Sequence, residues 1–199
     1  AAEAGRKMHA VRTALLAAAL LFAGAAAPVG SMQPAGCEPD GNVRFICGVP
    51  SPEDLVPVPR SEWVITSGYI RGGVHLISSR TYATTQVFPT PVPRERFDKT
   101  RYAACPGPVD PGEKEKLSAH GLAIAPGPAQ VHTVYLVHHG FRESIEVFEI
   151  DTQPATPTFT WIGCVVAPPT AAFNSVTPLP GGGFAAARFI WNPPALARR

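Results

Sequence analysis

Between residues 52 and 189 the chain breaks into short runs of Val, Ile, Thr and aromatic residues, bounded by Gly, Pro and Asp. β-Branched and aromatic side chains pack well on a pleated surface, and the bounding residues favour turns, so the pattern predicts many short strands. The first group is 62–69, 74–79 and 84–88. Strands are predicted again at 121–125, 131–139, 144–150 and 158–166, then at 174–179 and 183–189. The run 131–137 is apolar with little alternation, as in a strand buried on both faces, whereas 144–150 alternates imperfectly, with Ile145 and Val147 opposite Glu146. The polar stretch 97–116 carries Pro106, Pro108 and Pro111 and reads as a long surface loop. No segment sustains a helical period, and the predicted class is all-β.

A weak internal repeat sharpens this expectation. Pro52-Glu53-Asp54-Leu55-Val56-Pro57 precedes the strand around Trp63, Ala119-His120-Gly121-Leu122-Ala123-Ile124 precedes that around Val134, and Phe173-Asn174-Ser175-Val176-Thr177-Pro178 precedes that around Phe184. In each, a polar residue opens a short strand, a Pro- or Gly-bearing turn follows, and a second strand returns. The openers Glu53, His120 and Asn174 lie 67 and then 54 residues apart. Periods near 50 fit propeller blades better than solenoid rungs, and the innermost strand of each blade lines a shared channel. The expected architecture is a partial β-propeller of about three blades over residues 47–190, with a β-sandwich as the competing arrangement. Closed propellers need at least about four blades, so the chain is expected to be a fragment or to complete a ring with other copies. Residues 191–199 carry no strand pattern and are expected to form an irregular tail.

The same openers carry a family resemblance. Ser51-Pro52-Glu53-Asp54-Leu55 resembles the first-blade motif of paraoxonase and SMP-30/gluconolactonase-like propellers. His120-Gly121 resembles the step that opens a later blade, and Val134-Tyr135-Leu136-Val137-His138-His139-Gly140 resembles its next strand. Asn174-Ser175-Val176 resembles a calcium-binding asparagine segment. The resemblance covers roughly residues 47–190 and implies half of a six-bladed, calcium-dependent hydrolase of lactones or aryl esters. It implies Glu53 and Asn174 as ligands of a catalytic calcium, Asp54 as a ligand of a structural one, His120 as general base and His139 as its partner.

The chemistry matches those residue types. Calcium takes six to eight oxygen ligands, which carboxylates and amide carbonyls supply, and an imidazole titrating near neutrality suits proton abstraction from water. The chain departs from the family at His138, where Asn is usual, and at Ala185-Ala186-Ala187, where Thr or Asn is frequent. Ligands from later blades have no counterpart, so the isolated chain is expected to be inactive or nearly so. A non-catalytic secreted propeller used for binding and a truncated reading frame without function are the alternatives. Plainer readings exist for each motif: an acidic turn at Glu53-Asp54, turn roles for His120 and Asn174, and structural positions for His75, His132, Trp63 and Trp161. Arg142-Glu143 reads as a solvated hairpin turn. Ser144 and Ser175 lack a Gly-x-Ser-x-Gly setting, which excludes an elbow-type serine nucleophile.

Composition then adds a location. Arg6, Lys7 and Arg12 flank an Ala/Leu-rich uncharged run that ends in Ala25-Ala26-Ala27. This is the pattern of a cleaved signal segment over 1–27, followed by a linker at 28–46; an uncleaved anchor is the rival and the one route to a membrane. Removing 1–27 takes away three basic residues and Glu3, so the formal charge falls from +2 to zero. No basic stripe remains for a phosphate backbone, which argues against nucleic acid. Cys37, Cys47, Cys105 and Cys164 make an even set in an expected secreted or periplasmic protein. Three pairings exist, of which Cys37–Cys47 with Cys105–Cys164 is the simplest. The 23 prolines and 18 glycines agree with a turn-rich, helix-poor chain.

Overall fold

The computed structural model describes residues 36–110, 112–113 and 116–189. The expected signal segment 1–27, part of the expected linker and the expected tail 191–199 lie outside the described residues.

The described chain is all-β, with eleven strands in three sheets, none closed on itself. β1 (Pro52–Pro57), β2 (Trp63–Gly68), β3 (Gly73–Ser78) and β4 (Thr84–Phe88) form an antiparallel meander. A second meander holds β6 (Ser118–Ala125), β7 (Val131–His139), β8 (Ser144–Asp151) and β9 (Thr158–Val166), with the short β5 (Arg94–Glu95) added in parallel beyond β9. β10 (Ala172–Pro178) and β11 (Phe184–Phe189) pair as a hairpin. β1 suits an edge position because Pro52 and Pro57 offer no ladder N–H.

β3 is buried along its whole length, and β7 and β8 nearly so. This explains why the run 131–137 lacks alternation: both faces of its sheet are covered. The core is continuous across the sheets. Ile65, Val74, Leu76 and Phe88 of the first meet Leu136, Ile145, Val147 and Phe148 of the second in one buried cluster. The Phe88 and Phe148 rings meet edge-on with centroids 4.9 Å apart. Tyr135 and Phe184, 5.3 Å apart, join the second sheet to the β10–β11 hairpin. The first strands of the three sheets are neighbours, β6 packing against both β1 and β10.

The expected surface loop 97–116 is corrected in part. Tyr102, Cys105 and Val109 are buried, and the segment is stitched to β9. Arg96 N–H donates to Trp161 O at 2.8 Å and Asp98 N–H to Ile162 O at 2.9 Å. Apolar residues scattered at irregular spacing, and a two-residue strand, leave no periodic signal in the sequence.

Both disulfides of the simplest pairing are formed. Cys37 and Cys47 have Cα atoms 6.3 Å apart, and Cys105 and Cys164 5.2 Å. The second ties the buried loop to β9 across a sequence separation of 59. Such bonds persist in oxidising compartments, and the pair is compatible with an extracellular location. Converting Cys105 and Cys164 together to Ala is expected to lower unfolding free energy by about 2–4 kcal/mol, measured by denaturant unfolding. The double variant should then lose most of the sensitivity to reductant that the parent shows.

Candidate functional site

All three polar openers occur where the ladder of a first strand is interrupted. Register slips between Pro52 and Asp54 leave Glu53 as the extra residue of β1. On β6, His120 and Gly121 together stand opposite Val137. On β10, Asn174 is the extra residue between Phe173 and Ser175. A bulge bends its strand and re-aims a side chain that regular pleating would direct elsewhere.

His120 and Glu53, from different sheets, meet: the His120 Nε2 to Glu53 Oε1 distance is 3.1 Å. The other ring nitrogen of His120, Nδ1, is 3.0 Å from Nε2 of His139, at the end of β7. His139 Nδ1 faces both oxygens of Glu143, at 2.7 and 2.9 Å. The result is a continuous polar chain, Glu53–His120–His139–Glu143. The imidazoles are largely covered, with side-chain exposures of 20% and 17%, whereas Glu53 and Glu143 keep 43% and 37%. The chain therefore opens to solvent at its carboxylate ends. Tyr69, just after β2, lies against it, its ring 5.1 Å from that of His120 and 6.3 Å from that of His139.

Asp54 has a different place from its neighbour. Its Oδ2 accepts from Leu122 N–H at 2.9 Å and its Oδ1 from Leu55 N–H at 2.9 Å. Its carboxylate thus joins β1 to β6 beside the histidine. The Asn174 side chain is exposed, while its backbone carbonyl fits against Gly121, where an added Cβ would come within 2.6 Å of it. Glycine is required there by close approach of two backbones.

No protein-family model, curated protein or solved structure matches this chain.

One carboxylate (Glu53) and one amide (Asn174), on β1 and β10 flanking β6, are the right oxygen types, but a calcium ion takes six to eight oxygens. Asp54 already accepts two backbone hydrogen bonds. Among the described residues no group of three or more His, Cys, Asp or Glu side chains is arranged to hold a metal ion.

The reading of Arg142-Glu143 as a solvated turn is corrected. Arg142 Nε and Nη2 donate to the two oxygens of Glu146 at 2.7 and 2.8 Å, and Arg142 Nη1 donates to Gly107 O at 2.9 Å. Glu146 is fully buried and also accepts from Ser144 Oγ and Trp161 Nε1, each at 2.7 Å. Every oxygen of this buried carboxylate is satisfied, the condition under which a charge is tolerated in a core. Trp161 thus packs and donates at once. The bidentate pair fixes the turn from which Glu143 reaches His139. Neither Glu143 nor Tyr69 stood out in the sequence; the one signal for Glu143 was its position four residues past His139, across the glycine that permits the turn.

Of the adjacent histidines, His139 enters the polar chain and His138 enters the core, as alternation along a strand requires. His138 is fully buried and neither ring nitrogen has a hydrogen-bond partner. Burial, then the Arg142 charge, pull its pKa down to about 3; the Arg142 backbone partly offsets this without reaching hydrogen-bonding geometry. His75 and His132, which strand position alone left as core or surface residues, are buried too, and burial lowers the pKa of each.

His138 has a folded pKa below its unfolded value of 6.5, so between those values the unfolded chain binds more protons. Stability therefore falls as pH drops from 6.5 towards 3, by about 1.4 kcal/mol per pH unit from this group. Urea unfolding at pH 6.5 and pH 5 should show a loss for the parent about 2 kcal/mol larger than for His138→Leu; equal losses would contradict a neutral buried ring.

Proposed function

We propose that the chain carries part of the active site of a calcium-assisted hydrolase of lactones or aryl esters, with His120 as general base and His139 as its partner. The single observation that carries this reading is the His120–His139 contact at 3.0 Å, set between the carboxylates of Glu53 on β1 and Glu143 in the β7–β8 turn. A largely covered imidazole pair that opens to solvent at its carboxylate ends suits abstraction of a proton from water. The motif resemblance to paraoxonase and SMP-30/gluconolactonase-like proteins supports the same chemistry. Three sheets whose first strands adjoin, each bulged at a polar residue, support a propeller-like arrangement around a shared axis.

In this reading Glu53 and Asn174 are calcium ligands, and Asp54 secures the strand that presents Glu53. Bound calcium would polarise the carbonyl of the ester or lactone and stabilise negative charge developing on its oxygen. His120 takes the proton of the attacking water at Nε2, the nitrogen directed towards Glu53. His139 accepts the hydrogen bond from His120 Nδ1 and holds that ring in place. Tyr69 covers the pair and restricts water around it. The chain alone supplies too few oxygens for tight calcium binding, and is expected to turn over slowly beside a longer protein that adds further ligands. The two disulfides and the Ala/Leu-rich leader support a secreted or periplasmic setting.

A set of lactones and phenyl acetate, assayed with the 199-residue chain and with the product of its extended reading frame, tests the proposal. Hydrolysis should require added calcium and vanish with chelator. His120→Gln should lower kcat by about 100-fold or more, the usual worth of a general base. Hydrolysis that survives both chelation and His120→Gln would refute it. Calcium-dependent folding with no hydrolysis would favour the non-catalytic binding role instead.

A further inference from the structure

We propose that Glu143 is a positioning residue that sets the direction of hydrogen bonding through both histidines, and so decides whether His120 presents a lone pair or a proton. An ionised carboxylate only accepts hydrogen bonds. With both its oxygens within 2.9 Å of His139 Nδ1, that nitrogen must carry a hydrogen. A neutral His139 then has a bare Nε2, and the 3.0 Å contact to His120 Nδ1 forms only if His120 donates. A neutral His120 that donates from Nδ1 has a bare Nε2, the state a base requires. One carboxylate thereby fixes the tautomer of a ring it does not touch.

Glu53 pulls the opposite way. Facing His120 Nε2 at 3.1 Å, it favours a hydrogen on that nitrogen. If Glu143 were absent, a neutral pair would be free to reverse, with His139 donating from Nε2, His120 accepting at Nδ1, and His120 Nε2 protonated towards Glu53. The base would then be blocked without any atom of it having changed. The turn is built to keep Glu143 in place. Arg142 is clamped on buried Glu146, and the Glu143 carbonyl accepts from Ala167 N–H at 2.8 Å. Gly140 takes φ +114°, a conformation L side chains rarely adopt, where its backbone passes close to Lys116.

The kinetic consequence rests on the proposed role of His120; the tautomer does not, so the two are tested separately. Nitrogen NMR of the full chain labelled at histidine, at mildly alkaline pH, should show His139 protonated on Nδ1. Glu143→Gln, whose amide oxygen still accepts, should retain that state. Glu143→Ala should shift His139 towards the Nε2-protonated form. Glu143→Lys, which offers only donors, should do the same and serves if the alanine variant fails to fold. Parent His139 protonated on Nε2, or an unchanged tautomer in the non-accepting variants, overturns the inference whether or not the protein hydrolyses anything. Where hydrolysis is measured, Glu143→Ala should lower kcat about 100-fold or more with KM little changed, and Glu143→Gln should recover much of it. A rise in KM at constant kcat would also overturn it.

Discussion

The carboxylate of Asp54 holds two sheets together at the place where their functional groups converge. Its bond to the Leu122 amide is made one residue from Glu53 and two from His120. Without it, the alignment of β1 with β6 would rest on the His120–Glu53 contact between partly exposed side chains and on apolar contact, which is non-directional. A hydrogen bond to a charged acceptor is directional as well as strong, so it sets the separation of the two strands. The close fit of Gly121 on the Asn174 carbonyl does the same between β6 and β10. The central first strand is thus gripped on both sides by backbone-level contacts, and the imidazole between them inherits that rigidity.

A second constraint comes from within the β6–β9 sheet. Burying Glu146 is costly unless every lone pair is met, and Arg142, Ser144 and Trp161 meet them. The arrangement couples core to surface: a residue of the β7–β8 turn is anchored in the interior, and the next residue in sequence supports the exposed end of the polar chain. Adjacent His138 and His139 divide the same way, one buried with neither ring nitrogen partnered, the other bonded at both, to Glu143 and to His120.

Much of the fold was legible because it depends on local signals. Strands β2 to β4 and β7 to β11 lie within a few residues of the runs that β-branched and aromatic residues marked, and the repeated polar openers singled out Glu53, His120 and Asn174 together. What periodicity could not show was set by tertiary contact. β5 is two residues long, and Tyr102 and Val109 are buried by a loop whose path is decided by Cys105. Arg142 and Glu143 look like ordinary turn residues until the partners supplied by other strands are known. Asp54 is adjacent to Glu53 and equally acidic, yet only the geometry reveals that its oxygens are taken by amides.

The bulges on the first strands have a genetic corollary. An extra residue reverses the inside–outside parity of everything on one side of it relative to the other. Loss of a single codon at Glu53, at His120-Gly121 or at Asn174 would restore an unbroken ladder, so the sheet would tolerate it. The flanking side chains would keep their partners and faces, but the polar residue that the bulge carries would be lost or re-aimed, and the polar cluster would be dismantled. In a lineage of such proteins, in-frame single-residue insertions and deletions at these three points would gain or erase the site more cheaply than substitutions, while the surrounding architecture persisted.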